Sequence, residues 1–68
     1  MTREDIVFGV QEVARNSFED EVAQSVESRL HVDVLRAISV GALVDISPEE
    51  AAAMALSTLK IDFARWCA

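Results

Sequence analysis

An all-α fold is predicted by three observations. Capping residues stand at Thr2 and Ser47, apolar residues recur at intervals of three and four, and 68 residues contain only two Gly and one Pro. Turn-rich β architectures need more punctuation than that. The expected architecture is a small helical hairpin or three- to four-helix domain, one domain over residues 1–68, completed by homodimerisation.

The first element opens at "TREDIVFGVQEVAR". Thr2 suits an N-cap, and Glu4 and Asp5 suit the positive end of a helix dipole. Ile6, Val10, Val13, Ala14 and Ser17 then share one face at helical spacing. Phe18, Val22, Val26 and Leu30 follow at strict intervals of four, which drift by about 40° per step on a 3.6-residue helix. Asn16 and Glu19 have capping-box spacing, so either one drifting helix or two shorter ones cover residues 3–30.

Residues 31–46, "HVDVLRAISVGALVDI", carry apolar side chains at most even positions, which is a strand's period. No second segment offers itself as a pairing strand, so a helix is expected, apolar nearly all round and needing to be surrounded. The chain then restarts. Ser47 is a natural N-cap, Pro48 fits the first helical position, and Glu50 stands where a capping box places its glutamate. A final helix is expected to about Trp66, with Ala52, Leu56, Leu59, Phe63 and Trp66 as a stripe packed within the chain.

At 100° per residue, Met54 and Ile61 project roughly opposite that stripe, among the small residues Ala53, Ser57 and Ala64. A two-sided final helix and an apolar middle helix exceed what one short chain can cover. A monomer of this length buries only about 60% of its unfolded surface. A homo-oligomer is therefore expected, most simply a two-fold dimer, with Met54, Ile61, Ala53, Ser57 and Ala64 as the candidate interface.

Twelve acids against six bases leave a net charge of −6. That balance favours basic partners and opposes phosphate backbones and anionic membranes, so neither direct nucleic-acid binding nor membrane association is expected. Cys67 is the only cysteine and His31 the only histidine, which excludes an intrachain disulfide and a Cys/His zinc set. A single thiol, no visible signal peptide and no bilayer-length apolar run point to a cytoplasmic protein.

Chemistry-bearing patterns are thin. Cys67 reads as a packing residue, and His31 as a helix-boundary residue with no evident partner. The carboxylate pairs read as first-turn or solvated acids, and Gly9 and Gly41 do not form a phosphate loop. No catalytic, cofactor-binding or metal-binding residue is expected, and no enzyme activity. The chain is similar to acyl carrier proteins only in being small, acidic and helical, because Ser47 precedes proline and has a capping role. Ala37 and Gly41 have helix-turn-helix spacing, but "SPEEAAAM" puts glutamates where phosphate contacts belong.

What remains is a small acidic protein-interaction module, a regulator, adaptor or inhibitor acting on a larger protein as a helical homodimer. Phe18, Glu19, Asp20 and Glu21 form a candidate acidic partner patch, with Phe8 as a further contact. The alternatives are a non-catalytic accessory subunit of an enzyme or assembly, and an acidic nucleic-acid mimic.

Overall fold

The structure, a computed structural model, describes residues 1–65. It has three α-helices, α1 (Arg3–Arg15), α2 (Asp20–Ser39) and α3 (Pro48–Leu56), then a 3₁₀ turn (Ser57–Lys60) and an extended segment to Arg65. Among the described residues there is no strand. The alternating pattern at 32–46 belongs to the last two turns of α2 and the connection after it.

The N-terminus of α1 forms as its residues suggest. Asp5 N–H donates to the Thr2 hydroxyl, and Thr2 N–H donates to Asp5 Oδ2 at 2.9 Å, a reciprocal capping box. The Thr2 backbone N–H, and then its hydroxyl, hold the Asp5 carboxyl below the usual carboxylate range. Asn16 does not start the second helix. Its backbone N–H and its side-chain Nδ2 both donate to Glu12 O, so it closes α1. Glu19 is the N-cap of α2 and makes no side-chain cap bond.

Ala23, Glu27, Leu30, Val34 and Ala37 are the buried stripe of α2, at intervals of four, three, four and three. Phe18 and Val22 lie off that stripe and face outward. The helix ends at a Schellman motif. Gly41 takes φ 68°, Ala42 N–H donates to Ala37 O at 2.8 Å, and Gly41 N–H donates to Ile38 O. The connection is tied to the first residue: the Met1 amino group donates to Ala42 O, and Val44 N–H donates to Met1 O. Asp45 takes φ 57°, a conformation aspartate tolerates better than bulkier residues do.

Ser47 caps α3 by accepting from Glu50 N–H at 3.1 Å, with Pro48 at the first helical position. Glu50 turns its carboxylate to Arg3 instead of back to its own cap, joining the starts of α3 and α1. The helix stops at Leu56, well short of Trp66. Two hydroxyls account for the stop: Ser57 Oγ donates to Met54 O, and Thr58 Oγ1 donates to Ala55 O at 3.0 Å. Such back-bonding competes with the helix ladder and tightens the last turn.

The face of α3 that packs inside is not the expected one. Ala51, Ala55 and Thr58 are buried, whereas Leu56 and Leu59, expected in the intrachain stripe, are exposed. Phe63 is buried, but from the extended segment, and Trp66 and Cys67 lie outside the described residues.

Two core clusters result. Ile6, Leu30, Val34, Ala51 and Ala55 join all three helices, and Val13, Ala23 and Phe63 join α1, α2 and the extended segment. Alanines at the contacts let the helices approach closely. Gly9 does the same, since a Cβ there would meet Leu30 Cδ1 at 2.5 Å. At 1.5 Å per residue, the 20-residue α2 spans about 30 Å and sets the 32 Å long axis.

Because Ser47 satisfies a backbone donor that the helix itself leaves free, Ser47→Ala is expected to lower stability by about 1 kcal/mol in urea unfolding. Ser47→Asp, which restores an acceptor, should recover most of it; an alanine variant as stable as the wild type would remove the cap from this description.

Candidate functional site

Two features stand out, an apolar face and a polar clamp. The apolar face lies where α2 and α3 diverge. His31, Val34, Leu35, Ala52, Ala55 and Leu56 line a notch of about 160 Å³. Leu35 is 64% exposed and Leu56 56% exposed, so they stand as projecting walls around a floor of small side chains. Leu59 follows Leu56 by three residues through the 3₁₀ turn, a spacing that aligns side chains, and is 54% exposed. Leu35 and Leu56 thus border one apolar notch while more than half exposed, and exposed apolar patches of this kind mark interaction sites.

The candidate interface residues of the sequence do not form this face. Met54 is half-buried against the first core cluster and Ile61 against the second. Ser57 is half-buried with its hydroxyl on Met54 O, and Ala53 and Ala64 are exposed. The inward side of α3 is instead Ala51, Ala55 and Thr58, at intervals of four and three, so Leu56 and Leu59 fall outside it and Met54 and Ile61 at its edge.

The candidate acidic patch is divided. Phe18 is 79% exposed, with Glu19 and Glu21 exposed beside it. Asp20 is half-buried and has a structural task, since its Oδ1 accepts from Ala64 N–H at 3.1 Å. Phe8 is exposed on the rim of a second notch of about 390 Å³ between α1 and α2. Asp5, Glu12, Asp33 and Arg29 stand around that notch, whose lining is otherwise apolar, from Met1, Phe8, Val26 and Leu30.

The polar clamp was not expected. Glu27, in the middle of the buried stripe of α2, is only 6% exposed. A buried carboxylate needs a paired cation and further hydrogen bonds. Arg65 supplies both, with Nε 3.0 Å from Glu27 Oε1 and Nη2 2.9 Å from Oε2. The same guanidinium donates to the carbonyls of Thr58, Ile61 and Phe63, and lies 3.9 Å over the Phe63 ring. The Arg65 hydrogen bonds hold the Glu27 carboxyl below the usual range against the opposing effect of burial.

His31 is not at a helix boundary but inside α2, with Nε2 2.9 Å from both Ala55 O and Thr58 Oγ1. It helps to hold the carbonyl that the end of α3 leaves free. Thr58 is fully buried beside it. Histidine, threonine and glutamate thus come together around a fully buried hydroxyl at the end of α3.

Sequence reasoning missed the pair because its partners stand 38 residues apart. The only local signal was a glutamate on the side of α2 that carries Ala23 and Leu30. Among the described residues, no three His, Cys, Asp or Glu side chains are grouped to hold a metal ion, and no helix is long and apolar enough to cross a membrane. The chain matches no protein-family model, no curated protein and no solved structure.

The Glu27 carboxyl has a lower folded than unfolded pKa, so its contribution to stability is present above the unfolded glutamate value of about 4.3 and is lost as pH falls through the lower folded value. Urea unfolding of wild type and Glu27→Gln between neutral pH and strong acid should show the wild-type advantage constant at neutrality and shrinking in acid. An advantage that does not change with pH would mean that the ion pair contributes nothing through its charge.

Proposed function

We propose that the chain is a small acidic protein-interaction module whose working surface is the leucine face of α2 and α3, covered first by a second copy of itself. The observation that carries this reading is that Leu35 and Leu56, each more than half exposed, border an apolar notch, with exposed Leu59 three residues beyond Leu56. A two-fold interface must be self-complementary, and this patch holds both projections and a recess. The net charge of −6 then favours a larger partner with a basic surface and disfavours nucleic acid or anionic membrane as the target. The module acts by binding, as a regulator or adaptor without catalysis of its own.

Sedimentation equilibrium tests the face directly. Wild type should sediment as a dimer, and Leu56→Glu should sediment as a monomer of unchanged helix content, with a melting temperature independent of concentration. Ile61→Glu strikes the second core cluster of the chain itself, so it should lower stability in any oligomeric state. If Leu56→Glu sediments like the wild type, the leucine face is not where copies meet.

A further inference from the structure

The notch between α1 and α2 has an apolar floor of Gly9, Val26 and the buried Leu30, with the exposed Phe8 ring beside it. Most of the charged groups around it are already engaged. The Glu12 carboxylate is ion-paired to Arg15 at 2.6 Å, Asp5 Oδ2 accepts from Thr2 N–H, and the Met1 amino group donates to Ala42 O. That leaves Arg29 and Asp33. They stand one turn apart on α2, yet among the described residues neither side chain makes a hydrogen bond or an ion pair, with the other or elsewhere. Base before acid is the less favourable order for a pair along a helix.

An uncommitted cation and an uncommitted anion thus border one apolar recess of about 390 Å³, a size within the range of small-molecule pockets, about 300–1,000 Å³. The complement to that arrangement is a molecule carrying a carboxylate, an ammonium and a bulky apolar group on adjoining atoms. We propose that the α1–α2 notch binds a free α-amino acid with a large apolar side chain, held between Arg29 and Asp33. The guanidinium of Arg29 donates to the ligand carboxylate, Asp33 accepts from its ammonium, and its side chain lies on Val26 and Leu30 against Phe8. A residue inside a peptide could fill the same recess, but it brings neutral amides to both charges. This goes beyond the protein-interaction reading and shares no residue with the leucine face.

The test is an amide-resonance titration of the full chain with L-phenylalanine, taken to roughly 50 mM because so small a ligand on an open notch binds in the millimolar range. Saturable shifts centred on Gly9, Arg29 and Asp33 are expected. Arg29→Gln and Asp33→Asn should each raise half-saturation at least about tenfold, since each removes a charge-assisted contact. Neither should change helical circular dichroism, because neither side chain holds another part of the fold. N-acetyl-L-phenylalanine amide keeps the ring without the two charges, and should bind at least about tenfold more weakly than the free amino acid. Glycine keeps the charges without the side chain, and should not saturate.

Absence of saturable shifts, or half-saturation unchanged in either variant, would overturn the proposal. So would shifts centred on Leu35 and Leu56, or glycine binding as tightly as phenylalanine. A capped amide that binds as well as the free amino acid would overturn it too, and would make the notch a peptide-docking site instead.

Discussion

A carboxylate placed in the buried stripe of the longest helix governs how this chain closes. Glu27 stands between Ala23 and Leu30 on the face of α2 that meets the rest of the molecule, where an unpaired charge is intolerable. Satisfying it requires a cation that reaches in along the seam, and Arg65 does so only if the chain leaves the helical path after α3. Once Arg65 is in place, its remaining donors hold the carbonyls of Thr58, Ile61 and Phe63, and the Phe63 ring is pinned beneath it. One ion pair thus organises the 3₁₀ turn, the extended segment and the second core cluster.

The surface follows from which side of α3 packs inward. Ala51, Ala55 and Thr58 form that side at intervals of four and three, so Leu56 is left outside, and Leu59 after it. Leu56 lines the apolar notch with Leu35 of α2, the face proposed for self-association. A buried pair of this kind contributes more to specifying one arrangement than to net stability, since well-packed apolar residues can often replace such pairs without loss. The core cluster that joins all three helices lies elsewhere, around Ile6, Leu30 and Val34.

What was legible in the sequence was local. Thr2 with Asp5, and Ser47 with Pro48, declare helix starts through hydrogen bonds that span three residues, and both starts are where those residues place them. The stripe of α2 was not legible, because its buried positions include Ala23, Glu27 and Ala37, while the large side chains Phe18 and Val22 draw attention to a face that is exposed. The end of α3 had a readable signal in the consecutive hydroxyls Ser57 and Thr58. Heptad spacing out to Trp66 outweighed it, and the inside and outside of the last segment were exchanged. Met54 and Ile61, expected on an outer face, are half-buried against the two core clusters, and Leu35, Leu56 and Leu59 are the exposed leucines instead. No local pattern could join Glu27 to Arg65.

Nuclear Overhauser contacts of the Phe63 ring in the wild-type protein measure the central claim most directly. The ring should contact the methyl groups of Val13 and Ala23, while Leu56 and Leu59 show no contact with α1 and helical contacts stop at the 3₁₀ turn. A continuous ladder of helical contacts from Pro48 through Asp62, with Leu56 and Leu59 against α1, would contradict it.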